Sequence, residues 1–260
     1  MPDAAALLRA YDEQARPAET RDLPPGLYAE PDGPIIRVVG DRRGFVNGPV
    51  DLGLSGADLD ALIKRQQDFF AARGEGLEWK TRAHDRPAEL FDRLLAAGFV
   101  AEDEETVLIG VAADVADEHP PMPEGVELRE ITDQAGFRGI ADMEAEVWSS
   151  DRSHLVTQLT REVGAGLVTV YAAVADGRIV SAAWGDYKSG IEFVGIWGGA
   201  TLPQWRGRGI YRALVAKRAW LAVQRGYRYL QIDASKDSRP IVARLGFTEV
   251  TTTTPYVWTP

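Results

Sequence analysis

Residues 112–125, AADVADEHPPMPEG, are acidic at first, then rich in proline, and show no apolar periodicity. Such a stretch is typical of a linker, because it offers no face to bury and interrupts regular hydrogen bonding. It divides the chain into a part over residues 1–112 and a part over residues 126–260, with residues 113–125 as the linker. The chain has 260 residues, which is long for one domain and comfortable for two.

The part over residues 126–260 alternates between helix and strand patterns. After a first helix, for which Thr132 is the predicted N-cap, three strands are predicted over residues 167–200, with Asp176-Gly177 as a hairpin turn. A helix over 207–225 follows and stops at Gly226, and it is followed by a strand, a short helix and a last strand. This order predicts a mixed α/β fold in which an antiparallel meander precedes a βαβ step.

The part over residues 1–112 repeats the end of this pattern. Its helix, strand, helix and strand are separated by Arg73-Gly74 and Gly98-Phe99, as the later elements are by Arg225-Gly226 and Gly246-Phe247. The repeat favours two related halves, and two unrelated α/β pieces remain the alternative.

Composition excludes several classes of site. The chain has no cysteine, so disulfides, thiolate metal ligands and cysteine nucleophiles are excluded. Its three histidines, His84, His119 and His154, are far apart, and no metal site is predicted. A formal net charge of -10 argues against nucleic-acid binding. Without a signal-peptide pattern or a long apolar run, we expect a cytoplasmic protein with no membrane partner. The oligomeric state stays open.

Residues 201–214 carry the most informative pattern, because a glycine turn here joins a strand to a helix. Gly207 and Gly209 allow a tight turn whose N–H groups, with the helix dipole, form a site suited to a pyrophosphate. Three guanidinium groups add charge-assisted donors: those of Arg206, Arg208 and Arg212. A Walker loop is excluded, since no Gly-Lys-Ser/Thr follows, and a dinucleotide fingerprint does not fit a turn placed after a meander.

Residues 204–209, QWRGRG, resemble the Gln/Arg-x-x-Gly-x-Gly/Ala signature of GCN5-related N-acetyltransferases (GNAT proteins), and residues 245–247, LGF, resemble that family's closing segment. The resemblance covers about half the chain. It implies the GNAT fold, an α/β (α+β) fold with a mixed, mostly antiparallel sheet and splayed central strands, and it implies acetyl-CoA as co-substrate without a metal. The paired arrangement is similar to mycothiol synthase and its relatives, in which one of two GNAT-like halves can be degenerate.

The resemblance also implies which residues bind the cofactor. Backbone around residues 200–202 would meet the pantetheine arm, and the signature amides would hold the pyrophosphate. The predicted cofactor-binding residues are Ala200, Thr201, Leu202, Arg206, Gly207, Arg208, Gly209, Ile210, Tyr211, Ser235 and Ser238. No glycine turn flanked by arginines precedes the helix at Ala57, so we expect the earlier half to have lost its site.

The chain departs from the family at its acid and base positions. The tyrosine that protonates the leaving thiolate in many members is replaced by Val242, and the positions of the usual strand glutamate hold Phe193 and Trp197. Glu192 is adjacent, but strand alternation turns it to the opposite face unless a bulge restores it. Ser235 stands where the family often has an asparagine.

Residues 144–154 correspond to the family's acceptor-binding segment. Proton-transfer candidates here are Glu144, Glu146 and His154, the last of which titrates near neutral pH. An exposed histidine at a helix start is the alternative for His154. The predicted acceptor pocket comprises Trp148, Phe193 and Trp197, which could instead be core residues.

These patterns predict an N-acyltransferase that moves acetyl from acetyl-CoA to a primary amine of a small molecule or peptide, by direct attack in a ternary complex. No activated nucleophile is visible, so no covalent enzyme intermediate is expected. A non-catalytic acyl-CoA-binding module is the alternative. Aminoacyl transfer from charged tRNA on the same fold is disfavoured by the acidic balance.

Overall fold

The computed structural model describes residues 3–40 and 43–260. The α-helices in chain order are α1 (Ala4–Ala10), α2 (Arg16–Ala18), α3 (Gly56–Ala71), α4 (Leu90–Ala96), α5 (Ala112–Val115), α6 (Gln134–Trp148), α7 (His154–Gly164), α8 (Ile210–Gln224) and α9 (Arg239–Arg244). The strands are β1 (Tyr28–Asp32), β2 (Ile35–Val39), β3 (Arg43–Asn47), β4 (Gly76–Arg82), β5 (Val100–Ala101), β6 (Glu105–Val111), β7 (Val126–Ile131), β8 (Val168–Ala175), β9 (Arg178–Tyr187), β10 (Phe193–Thr201), β11 (Tyr229–Ala234) and β12 (Thr248–Trp258).

The chain forms two compact units. The first contains the residues up to Leu108 together with Asp233–Ala243 and Thr248–Pro260, and the second contains Ile109–Ile232 and Arg244–Phe247. Strand β12, which the predicted boundaries place with the later part, pairs antiparallel with β4 inside the first unit. The division at residues 113–125 stays a prediction.

The second unit is built on the strand order β11-β10-β9-β8-β7. Strands β7, β8, β9 and β10 pair antiparallel with their neighbours, and β10 pairs parallel with β11. The predicted hairpin turn is confirmed, because Asp176 and Gly177 both have positive φ, as a tight turn between twisted strands requires. The predicted meander followed by a βαβ step is therefore correct.

The first unit repeats this arrangement. Strands β1, β2 and β3 form an antiparallel meander, and β3 then pairs parallel with β4 after the crossover helix α3. The same sequence of pairings links β8, β9, β10 and β11 through α8. The prediction of two related halves is confirmed at the level of topology.

The central strands of the second unit separate along their length. Parallel pairing of β10 with β11 begins at Phe193–Tyr229 and ends at Gly195–Gln231, whereas β10 continues to Thr201. The predicted splay is present, and it leaves the far half of β10 with one open edge.

Helices α6, α7 and α8 bury this sheet. Strand β8 is buried at every position, and apolar residues of the helices complete one core with it. Helix α6 corrects one prediction: its N-cap is Asp133, not Thr132, because the Asp133 carboxylate accepts the N–H of Gly136 at 2.7 Å.

Two further properties concern the described ranges as a whole. None of their helices has the length and apolarity needed to cross a membrane. Nor do these residues include a group of three or more His, Asp or Glu side chains placed to hold a metal ion.

Candidate functional site

The turn between β10 and α8 forms an exposed backbone cradle. Gly207 and Gly209 have φ values of +73° and +86°, which only glycine adopts at low cost, and a Cβ at either would meet nothing within 4 Å. Helix α8 begins at Ile210 without a side-chain cap. Its first N–H groups therefore have no side-chain acceptor from the N-cap, and an uncapped helix start is an arrangement that binds anions.

Positive charge surrounds this cradle. Arg206, Arg208 and Arg212 are exposed, and none forms an ion pair with a carboxylate in the part of the chain that the structure describes. The Arg206 Nε donates to the Thr201 carbonyl at 3.0 Å, and the Arg208 guanidinium lies 4.8 Å from the ring centroid of Trp205. These contacts hold two of the cations beside the turn and leave donors free for a polyphosphate.

The end of β10 presents one residue to the open edge. The Leu202 N–H donates to the Val180 carbonyl at 2.9 Å, so Leu202 faces β9. In a ladder, alternate residues point to opposite sides, and Thr201 therefore points its backbone away from β9. The Ala200 carbonyl is held by the hydroxyl of Ser181 at 2.7 Å. Of the three predicted pantetheine contacts, Thr201 is the one whose N–H faces the splayed side.

A β-bulge lies just before this end. The register of β10 against β9 shifts between Gly198 and Ala200, which leaves Gly199 without a cross-strand counterpart. A Cβ at Gly198 would lie 2.5 Å from the Trp184 ring, and one at Gly199 would lie 2.9 Å from the Tyr211 ring. Two consecutive glycines are therefore required here, and the bulged peptide is packed between two aromatic rings.

Phe193 and Trp197, the β10 residues of the predicted acceptor pocket, both pack against other residues of the fold. Phe193 is 1% exposed, and its ring centroid lies 5.0 Å from that of Tyr229. Trp197 is half-buried and packs against the core. The observed bulge lies further along the strand and does not alter the register at Phe193.

Glu192 precedes β10. Its carbonyl accepts the N–H groups of Arg228 and Tyr229, both at 2.9 Å, and its carboxylate lies 3.7 Å from the Arg228 Nη1. That carboxylate is 46% exposed. Its contacts are those of a surface ion pair at the start of the parallel ladder.

One carboxylate of the acceptor segment is buried. Glu144, on the last turns of α6, is 6% exposed, and burial raises its pKa while nearby Arg152 and a hydrogen bond with Trp148 act against that rise. Trp148 ends the helix, is 53% exposed, and lies 5.9 Å from the Arg152 guanidinium. The buried acid, whose pKa is raised, makes this segment the candidate for proton transfer.

The other two proton-transfer candidates differ from Glu144. Glu146 is exposed and forms an ion pair with Arg178. His154 is half-buried and is the first residue of α7. Burial therefore distinguishes Glu144 among the three.

Three predicted positions belong to the first unit. The hydroxyls of Ser235 and Ser238 lie 3.3 Å apart, and the Ser238 N–H donates to the Ser235 carbonyl, which forms the turn that leads into α9. Val242 on α9 is fully buried. The position at which the family resemblance implies an acid therefore holds a packed, non-titrating side chain.

The equivalent site of the first unit is closed by its own residues. After β3 and β4 separate, the Leu52 N–H donates to the Arg86 carbonyl at 3.0 Å, and the Arg86 N–H donates to Val50 at 2.7 Å. The guanidinium of Arg16, 3% exposed, donates to the carbonyls of Gly48 and Pro49 at 2.7 Å each. The backbone carbonyls of Gly48, Pro49 and Val50 and the N–H of Leu52 along this edge are therefore already bonded within the chain.

No protein-family model and no curated protein matches this sequence. Solved structures do match. A GCN5-related N-acetyltransferase from Kribbella flavida aligns with a TM-score of 0.70 at 17% identity, over 100% of this chain and 96% of the other. One from Sphaerobacter thermophilus gives 0.63 at 16% identity, over 98% and 91%. A tandem GNAT protein from the clavulanic acid biosynthesis pathway also gives 0.63 at 16%, over 98% and 95%.

The chain therefore has the fold of the GCN5-related N-acetyltransferases. More particularly, it has the tandem form of that fold, with two GNAT-like halves in one chain.

Two features of the site were missed by the sequence reasoning. Ser181 of β9 has no sequence signal, because it lies in a strand that reads as ordinary core. The bulge of β10 did have one, since a strand interrupted by two glycines, here Gly198-Gly199, is a recognised signal for a bulge.

Proposed function

We propose that this chain transfers an acetyl group from acetyl-CoA to a primary amine by direct attack in a ternary complex. The observation that carries the proposal is the uncapped start of α8 behind Gly207 and Gly209, beside an open edge of β10. The likeness in fold to structures named as acetyltransferases, over nearly the full length of both chains, supports it.

Acetyl-CoA is the substrate that fits these features. The pyrophosphate would accept hydrogen bonds from the turn over residues 206–211, and the exposed arginines there would balance its charge. The pantetheine arm would run along the open edge at Thr201. The thioester carbonyl would then meet the backbone of Gly199 at the bulge, where an N–H can stabilise the negative charge that develops on oxygen.

The acceptor must lose a proton before or during attack. In the proposed step the amine nitrogen bonds to the carbonyl carbon, the carbon–sulfur bond breaks, and the ammonium proton passes to Glu144, directly or through water. Because burial raises the pKa of Glu144, its carboxylate is a stronger base than an exposed one. The departing thiolate takes its proton from water, since Val242 offers none.

The surface near Glu144 is where the acceptor would bind. Trp148 and Arg152 together offer an apolar face and a cation beside the buried acid. We propose a small-molecule or peptide amine as the partner, with neither nucleic acid nor membrane involved, and a cytoplasmic location.

A non-catalytic acyl-CoA-binding module is the second candidate. It is favoured by Val242, Phe193 and Trp197, which fill the acid and base positions that the resemblance implies. The enzyme is favoured by the position of Glu144, a buried carboxylate within the segment that the resemblance assigns to the acceptor.

The two candidates are separated by incubating the protein with acetyl-CoA and a broad panel of primary amines while free thiol is measured. If the chain is an acetyltransferase, at least one amine should raise the release of free thiol far above the rate without amine. If the chain is a non-catalytic binding module, acetyl-CoA should bind saturably and no amine should increase the release of free thiol. That result would overturn the proposal.

A further inference from the structure

Arg218 is a buried cation on α8. It is 2% exposed, and it forms no ion pair with any carboxylate within residues 3–40 and 43–260. Burial lowers its pKa to about 10, with Tyr211 and Tyr187 acting in the opposite direction. A charge placed here without a counter-ion is costly, so its contacts require an explanation.

Those contacts are backbone carbonyls. The Nε of Arg218 donates to Leu214 of its own helix at 2.9 Å, and the Nη1 donates to Trp184 at 3.2 Å and to Trp197 at 3.1 Å. Trp184 and Trp197 face each other across β9 and β10. One guanidinium therefore joins α8 to both strands at the residue that precedes the bulge.

The bulge depends on this helix in a second way. Tyr211 stands two turns before Arg218 on α8, and its ring occupies the space that a Cβ at Gly199 would need. Helix α8 thus contacts the bulge at both ends, through a ring at Gly199 and a guanidinium at Trp197.

We propose that Arg218 is a positioning residue that holds the β10 bulge, so that the backbone N–H of Gly199 can meet the thioester carbonyl of acetyl-CoA. The inference rests on the proposed function, and it adds a residue that touches neither the pyrophosphate turn nor the acceptor segment. A guanidinium suits the task because it can donate to two carbonyls at once from a fixed plane.

The test uses the full chain labelled with ¹⁵N, titrated separately with acetyl-CoA and with CoA. CoA lacks the thioester carbonyl, so the difference between the two ligands at the Gly199 amide reports that contact. Amides of residues 207–211 report pyrophosphate binding in the same spectra. In the wild-type chain we expect both sets of amides to respond, with Gly199 distinguishing the ligands.

Arg218→Met should abolish the ligand difference at Gly199 while the shifts at 207–211 and the Kd for CoA stay within about threefold. Arg218→Lys should recover part of the difference and serves if the methionine variant does not fold. Arg225→Met is the matched control: Arg225 follows α8 directly and bonds the Thr169 hydroxyl, away from the bulge. It should behave as wild type.

A ligand difference at Gly199 that is as large in Arg218→Met as in the wild-type chain would overturn this inference alone. If the methionine variant does not fold, an undiminished difference in Arg218→Lys would do the same. An absence of any response at 207–211 in the wild-type chain would overturn the proposed function, and this inference with it. Turnover gives a second readout: Arg218→Met should lower kcat by about 10²-fold with little change in KM for acetyl-CoA. If Arg218→Met changes kcat and KM by equal factors, the residue has a general structural role, and that result would also count against positioning.

Discussion

The carboxylate of Glu89 accepts the backbone N–H of Gly56 at 2.8 Å. Gly56 is the first residue of α3, the crossover helix of the first unit, and this hydrogen bond holds the pKa of Glu89 below its usual range. The corresponding helix of the second unit, α8, begins with no side-chain cap. The carboxylate of Glu89 occupies the place that an external phosphate would take at the start of α3, whereas the start of α8 leaves that place available.

The first prediction follows from this contrast: acetyl-CoA binds with a stoichiometry of one per chain. The edge of β3 is closed by Arg16 and by the Leu52–Arg86 hydrogen bond, and the start of α3 is filled by Glu89. Isothermal titration calorimetry measures the stoichiometry directly. Two equivalent sites per chain would show that the first half has kept its site.

The second prediction concerns the general base. If the carboxylate of Glu144 accepts the ammonium proton, activity should rise as pH increases through its raised pKa, and Glu144→Gln should remove that acid-side limb with a loss of about 10²–10⁴-fold in rate. The pH dependence of kcat/KM measures it. Glu192→Gln, at a surface ion pair, is the matched control and should leave the limb unchanged.

Two results would reassign the base. If His154→Ala flattens the limb while Glu144→Gln does not, the base is His154. If Glu192→Gln alone removes it, the strand register deduced from Phe193 is wrong in the working enzyme.

The third prediction concerns stability and Glu162 on α7. Burial raises its pKa to about 7 from an ordinary value of 4.5, so the folded state keeps a proton that the unfolded state releases. The free energy of unfolding that Glu162 contributes in its protonated form is therefore lost as pH rises from about 4.5 to about 7. Glu162→Gln should raise the free energy of unfolding at pH 8 by about 1–3 kcal/mol and have little effect at pH 4.

Urea denaturation at the two pH values measures this effect. Glu124→Gln, on an exposed loop, is the control and should change neither value. An equal gain from Glu162→Gln at both pH values would show that packing, and not ionisation, is responsible.

The fourth prediction concerns the bulge. Gly198→Ala should disrupt it, because a Cβ there would lie 2.5 Å from the Trp184 ring in addition to the cost of a positive φ. We expect a destabilisation of about 1–3 kcal/mol. We also expect kcat to fall under conditions in which the variant is still folded. Gly190→Ala, also at positive φ but with nothing within 4 Å, isolates the backbone cost. If the two variants lose the same activity, the bulge geometry is not needed for turnover.

Features set by local chemistry could be predicted from the sequence. Asp176-Gly177 indicates its hairpin because adjacent residues of these types adopt positive φ, and Gly207 and Gly209 indicate the turn before α8 for the same reason. The order of elements then predicts the meander and the parallel step, and the family resemblance implies the splay. All of these depend on residues close together in the chain.

Features set by distant contacts could not. Glu89 reaches Gly56, and Arg218 reaches Trp184 and Trp197, across separations that no periodicity encodes. Arg218 reads in sequence as one more cation of a surface helix. Its burial depends on how α8 lies across β9 and β10, which is a property of the packed fold.

The central claim is that the turn over residues 206–211 holds acetyl-CoA, and calorimetry with Gly207→Asp tests it most directly. Aspartate at Gly207 places a negative charge where the pyrophosphate would lie. Gly177→Asp is the matched control, since Gly177 has nearly the same φ and equally open surroundings in a distant hairpin. The account predicts binding to the wild-type chain and to Gly177→Asp, and none to Gly207→Asp. Unchanged binding to Gly207→Asp would contradict it.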